Sequence, residues 1–388
     1  MRGSAPQDGK GGARTDSGLE RHCLEFLEKF TMSVMKIGFQ SNQLSLTGTE
    51  VALYDYAHHN ERELLNESVI FYQRDHPGND SLAIDRFQSR FQVIPYKDIE
   101  DLDRGLASSG CDLLYTIKGG RKDNVVSRIV PTMVHAVFPS NPNQIHGASY
   151  AYISPWLSKN CSLETIPSVS HIVDMPTPTG DLRTELGIPR NALVVGGYGG
   201  RRSFDIPCAI DAVKQSLERD SDIRFLFMNF EPFLQHPRAI FLPGVSDVNR
   251  KAQFIASCDA MLHARLQGES FGLAIGEFSV LNKPVMAYRH SKHTHHLRML
   301  GSRGLIYEDA VSLLSHIESL PRQLKLVQDW DCYSQTCNPR TVMSEFERHL
   351  IKPALAASTL FHPDIDVGMR EVLAYWQFKA KMRLGLPV

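Results

Sequence analysis

The stretch His263–Tyr288, HARLQGESFGLAIGEFSVLNKPVMAY, decides how this chain is read. Its later part, Asn282-Lys283-Pro284 and then Val285-Met286-Ala287-Tyr288, stops a helix and starts a buried strand. Gly268, Ser270 and Gly272 mark a tight turn into that helix, where backbone N–H groups stay uncovered. Such a helix N-terminus carries about half a positive charge and attracts anions. Glu269 and Glu277 stand eight positions apart. On one helix they would lie about 80° apart around the axis and about 12 Å along it, sharing a side without touching. A surface helix with two solvated glutamates carries similar letters; the glycines and the short loop to a buried strand favour a site.

The stretch resembles the donor-site signature of retaining glycosyltransferases with the GT-B fold, of the group 1 or family 4-like kind. In that signature a Glu-Gly/Ser-Phe-Gly run is followed by a second Glu eight residues after the first, and Glu269-Ser270-Phe271-Gly272 and Glu277 match it. The resemblance implies an α/β chain of two Rossmann-like domains facing each other across a cleft. It implies further that Glu269, Ser270, Phe271 and the amides near Gly272 face the donor sugar and its phosphates, while Glu277 holds the ribose of the nucleotide.

With 388 residues and 42% hydrophobic content, the chain has material for two domains and two cores. A formal net charge of −1 argues against bulk nucleic-acid binding. No run of 18 apolar residues and no apolar leader region is present, so a cytoplasmic chain is expected, with at most peripheral membrane contact. Seven cysteines without a CxxC pair suit reduced thiols. Cys332 and Cys337 flank a loop but find no His or Cys pair to complete a zinc set, so no metal is expected.

Residues 1–34 begin with a Gly-, Ser- and charge-rich run and read as a flexible extension, with a short amphipathic helix possible over Leu19–Met32. An acceptor-side domain is expected over 35–178. It should have strands at Met35–Phe39, Glu67–Tyr72, Phe91–Ile94, Asp112–Thr116, Thr132–Phe138 and Tyr150–Ser154, alternating with helices in the rhythm of a parallel sheet. The loop around Gly48 follows the first strand and should border a cleft. Lys118–Lys122 is a cationic glycine turn that suits either a cleft rim or a solvated loop. His135, inside an apolar strand, suits a satisfied core residue; in the resembled family a histidine after this strand reaches the donor sugar, and both readings stand. His171–Thr179, with two prolines, reads as the linker.

A donor domain is expected over 179–364, opening with a short helix at Asp181–Pro189 and a strand from Ala192. That strand runs into Gly196-Gly197-Tyr198-Gly199-Gly200-Arg201-Arg202, a turn that could bring backbone and guanidinium groups close to a diphosphate. In the resembled family an Arg follows this strand directly and a second cation comes about five residues on. Gly197 stands where the first is expected and Arg202 suits the second, so Arg201 or Arg202 must supply both charges or the donor is bound differently. Further strands are expected at Arg224–Asn229, Asp259–Ala264 and Gly304–Tyr307, with a helix at Val248–Ile255. Four histidines within Arg289–His296 invite a metal reading, but cations between them favour a solvent-facing loop. Residues 365–388 are helical in pattern, with Val367, Met369, Val372, Leu373 and Trp376, and in the resembled fold such a helix crosses back to the first domain.

The expected function is transfer of a sugar from a nucleotide-diphosphate sugar to a glycan, lipid or small-molecule acceptor with retention of configuration. It should need no metal or other cofactor. Glu269 and His135 are the candidate catalytic residues, and Gly48, Arg201, Arg202, Ser270, Phe271, Gly272 and Glu277 the candidate donor-binding ones. A sugar-nucleotide epimerase of the same fold, or a silent nucleotide-sugar-binding protein, are the alternatives.

Overall fold

The computed structural model describes Met1 and residues 34–219 and 222–386. The extension expected over 1–34, with its helix at Leu19–Met32, lies outside the described residues apart from Met1 and Val34. From Lys36 on, the chain forms one compact unit.

Six strands, β1 (Lys36–Ser41), β2 (Glu67–Gln73), β3 (Gln92–Tyr96), β4 (Leu113–Lys118), β5 (Thr132–Ala136) and β6 (Ser149–Tyr152), pair in parallel in the order β3-β2-β1-β4-β5-β6. Helices α1 (Gly48–Glu63), α2 (Ser81–Gln88), α3 (Ile99–Ser109) and α4 (Pro155–Ser162) connect or follow them. The local chemistry sets the boundaries. Asp80 and Asp98 accept backbone N–H groups at the starts of α2 and α3, and Gly110, left-handed at φ 65°, closes α3. Covered on both faces, β4 and β5 bury every residue, as parallel strands do. Pro95 is tolerated because β3 is an edge strand.

The second sheet repeats the plan with β7 (Leu193–Tyr198), β8 (Ile223–Met228), β9 (Ala239–Leu242), β10 (Ala260–His263), β12 (Val285–Tyr288) and β14 (Leu305–Tyr307), ordered β14-β12-β10-β7-β8-β9. Between them, β11 (Gly268–Glu269) and β13 (His293–Thr294) form a separate parallel bridge. The helices are α5 (Pro207–Glu218), α6 (Val248–Ser257), α7 (Leu273–Val280), α8 (His295–Leu300) and α9 (Ala310–Leu326). Read in chain order, both sheets have the doubly wound order 3-2-1-4-5-6, whose switch point lies between β1 and β4 in one and β7 and β10 in the other. The chain is therefore an α/β protein of two Rossmann-like sheets, as expected.

Three expectations change. Asp181–Pro189 is a hydrogen-bonded turn rather than a helix, because Gly187 at φ 63° ends it after a single turn. The edge strand β9, only four half-buried residues, was not foreseen. The chain also returns to the first sheet earlier than the terminal helix. After α10 (Ser334–Cys337), α11 (Pro339–Phe346) packs on α1, with Phe346 stacked on Tyr56 at 5.2 Å. Ser149 then donates to the Leu350 carbonyl at 2.8 Å, ahead of α12 (Lys352–Ala356). The last helix, α13 (Met369–Leu384), lies on α4, but through Tyr375 and Phe378 and not through Met369, Leu373 and Trp376, which are exposed.

Candidate functional site

A cleft opens at the carboxyl ends of both sheets, where the β1–α1 loop faces the β10–α7 loop. Gly48, Glu269, Gly272 and Glu277 line it, so four of the expected residues meet in one place. Gly48 begins α1, and a Cβ there would meet nothing within 4 Å, so its role is openness of the loop and not a forced contact.

Glu269 and Glu277 do not share a helix. Gly268 (φ 67°) and Gly272 (φ 96°) are both left-handed and break the chain on either side of Glu269, which sits on β11 while α7 starts at Leu273. The Gly268 turn is obligatory, since a Cβ would stand 2.1 Å from the His293 carbonyl oxygen. Glu269 Oε1 accepts from Arg265 Nη1 at 3.0 Å and meets His263 Nε2 at 3.3 Å. Burial pushes the Glu269 carboxyl up, yet His263, by hydrogen bond and charge, and Arg265 pull it down to about 2. This carboxylate is thus held ionised at the cleft wall.

Glu277 is buried, and its Oε1 accepts from Lys251 Nζ of α6 at 2.7 Å. Its Oε2 has no hydrogen-bond partner. Burial pushes the Glu277 carboxyl well up and Lys251 down to about 8. Across the interface, Asp55 of α1 is also pushed up by burial, to about 6, against the charges of Arg86 and Lys251. An orphaned acceptor deep in a cleft is costly unless something arrives to donate to it.

Five expected residues do not line the cleft. Arg201 and Arg202 are 77% and 85% exposed and face Glu231, Arg202 Nε at 3.1 Å. No side chain could stand at Gly197 inside β7, because a Cβ there would come within 2.8 Å of the Leu262 carbonyl oxygen. His135 is fully buried, with Nδ1 2.9 Å from the Tyr115 hydroxyl and Nε2 2.9 Å from the Val169 carbonyl oxygen. Ser270 donates to the Val137 carbonyl at 2.9 Å, tying the β10–α7 loop to the end of the first sheet. Phe271 is buried against His171, His295 and Tyr333.

The histidine-rich segment is not a solvent-facing loop: of its histidines only His290 is exposed, beside Arg289 and Lys292, while His293, His295 and His296 are buried as β13 and α8 fold under β11. Among the described residues no group of three or more His, Cys, Asp or Glu could hold a metal ion. Asp-x-Asp triplets stand at 101/103, 220/222, 329/331 and 364/366, and none of their described aspartates lines the cleft.

Sequence reading passed over Arg265, Lys251, His263 and Glu50, all of which line the cleft. Arg265 and His263 lay in the decisive stretch at the end of a strand, where α/β sheets place ligands, and that position was the available signal. Glu50 accepts from Ser41, Ser45 and Thr47 and anchors the β1–α1 loop. Lys251 sits on an unremarkable helix, and nothing in the letters around it points to Glu277.

No protein-family model and no curated protein sequence matches the chain. Among solved structures it is similar to Anabaena HepE in complex with UDP-glucose, at 14% identity and TM-score 0.58 over 90% of this chain and all of that one. A glycosyltransferase from Rickettsia africae is similar at 12% identity and TM-score 0.55, over 91% of this chain and 99% of that one. So is the UDP-N-acetylglucosamine 2-epimerase from Rickettsia bellii, at 11% identity and TM-score 0.54, over 83% and 98%. At these identities the likeness establishes the architecture, and the chain has the GT-B fold.

Proposed function

We propose that the protein transfers a sugar from a nucleotide-diphosphate sugar, with retention of configuration, to a glycan, lipid or small-molecule acceptor. The observation that carries this is the orphaned Glu277 Oε2 in a cleft between two Rossmann-like sheets, with Glu269 and the bare amides of α7 beside it. Ribose hydroxyls are the donors that would satisfy Glu277. The nucleotide of the similar HepE structure, UDP, makes uridine the first base to test.

The diphosphate charge needs cations and amides. Arg265 is the better placed guanidinium: it lines the cleft, and among the described residues its only side-chain hydrogen bond is the one to Glu269. In this reading Arg265 takes the role expected of Arg201 or Arg202, and Glu269 orients it while facing the donor sugar. Positioning and electrostatics then carry the chemistry, with no metal required. Retention is supported by the match of Glu269-Ser270-Phe271-Gly272 and Glu277 to the retaining signature.

A second reading, epimerase, is favoured by one observation: Glu50 brings a carboxylate from the first domain to the cleft. It stands as a single carboxylate engaged by three hydroxyls, which suits loop anchoring better than acid–base exchange. Incubation with a panel of nucleotide sugars separates the readings. Slow release of sugar with its anomeric configuration kept supports the retaining transferase, an isomerised donor the epimerase, and binding without turnover a silent module.

A further inference from the structure

The last helix carries an apolar stripe that the fold leaves uncovered. Tyr375 and Phe378 of α13 are buried, Phe378 packing on Trp156 at 5.4 Å. On the opposite side Met369, Leu373, Trp376 and Leu384 are 73%, 54%, 53% and 73% exposed. With the exposed Ala380 they recur every three or four residues and so form one continuous line along the helix. Leu386, 50% exposed, follows at the end of the helix, where its N–H turns back to the Lys381 carbonyl at 3.0 Å.

Cations border the line on both edges. At about 100° per residue, Arg370 and Lys381 fall on one side of it and Lys379 and Arg383 on the other. In a chain of net charge −1 this is a local surplus. The helix's acidic side chain, Glu371, is turned to Thr165 and the Gly368 N–H and does not oppose it. An apolar line with a tryptophan, flanked by Lys and Arg, is the pattern of a helix lying in a membrane interface. Its ring and aliphatic side chains enter the acyl boundary while the cations reach lipid phosphates.

We propose that α13 docks the protein on the surface of an anionic phospholipid bilayer. The surface is built for contact in the plane, since no helix among the described residues is long and apolar enough to cross a membrane. The inference is independent of the donor reading and stands on the exposed stripe and its flanking charges.

The full chain is tested by co-sedimentation with vesicles of phosphatidylcholine alone and of phosphatidylcholine with phosphatidylglycerol. The expected result is partitioning at least about tenfold stronger to the anionic vesicles, weakened by added salt. Leu373→Ser/Trp376→Ser, and separately Lys379→Glu/Lys381→Glu/Arg383→Glu, should each reduce it about tenfold or more with thermal unfolding unchanged, because these side chains are at or near the surface. Trp156 and Trp330 are buried, so the emission of Trp376 supplies a second readout on the unaltered protein. It should shift to the blue and lose acrylamide quenching only when anionic vesicles are added. No binding, or equal binding to both vesicle types, overturns the proposal. So does a Trp376 already shielded from acrylamide without vesicles. Shielding that varies with protein concentration would assign the face to a second copy, and shielding that does not to residues 1–33 of the same chain.

Discussion

At the residue scale two glutamates with different surroundings divide the work of the proposed donor site. A group that grips the ribose acts in ground and transition states alike, so Glu277→Gln should mainly raise the donor KM. In the proposed reaction Glu269 stands ionised beside the donor sugar and should matter most as charge develops, so Glu269→Gln should lower kcat by about ten- to a hundredfold, equivalent to losing about 1.5–3 kcal/mol. Steady-state kinetics on both variants checks this; equal effects on KM alone would assign both carboxylates to nucleotide binding. A second prediction separates the arginines: Arg265→Ala should weaken nucleoside diphosphate affinity by about 1.5–3 kcal/mol, and Arg202→Ala, paired with Glu231 at the surface, by much less. Calorimetric titration decides, and the reverse ranking would return the phosphate site to the glycine turn. The glutamates were legible because their spacing and glycines are local in sequence. The guanidinium was not, because whether Arg265 or Arg202 reaches the cleft depends on how far β7 and β10 extend before their loops turn away.

At the element scale, the β10–α7 loop is held by left-handed glycines, of which Gly268 leaves no room for a Cβ. Gly268→Ala would place a methyl against the His293 carbonyl at a positive φ, so it should unseat β11 from β13. We expect a lower melting temperature and loss of donor binding, whereas Gly48→Ala, with open space around it, should alter stability little; thermal unfolding of the two variants is the check. The strands of the first sheet were readable from their apolar runs, and the helices between them from the alternation. The short bridge β11–β13 was not, since two-residue strands have no periodicity, and the separation of Glu269 from Glu277 was therefore measured along one helix. The buried histidines were misjudged for a related reason. Polar letters between cations look solvated until β13 and α8 carry them beneath the site.

At the scale of the whole molecule, alternation of strands and helices made the doubly wound plan legible, while the early return of α11 to α1 was hidden because its contacts are far apart in sequence. Burial of neutral imidazoles leads to a prediction for acid stability. His135, His293 and His295 are each pushed by burial from 6.5 down to about 4. Their folded forms resist protonation, so the stability they confer is complete above pH 6.5 and is lost as pH falls from there towards 4, where the unfolded chain binds more protons. The melting temperature should drop through that window; a flat profile would place the imidazoles in water. On the proposed reading, in which Arg265 and the α7 amides take the place of a divalent cation, activity should also survive EDTA. Loss of activity in EDTA, restored by manganese, would refute that. Titration of UDP and other nucleoside diphosphates into the wild-type protein and Glu277→Gln decides whether the cleft is a nucleotide site. Saturable binding of at least one of them to the wild type is expected, weakened about tenfold or more by the single substitution. Binding of none, or binding that Glu277→Gln leaves unchanged, would contradict that expectation.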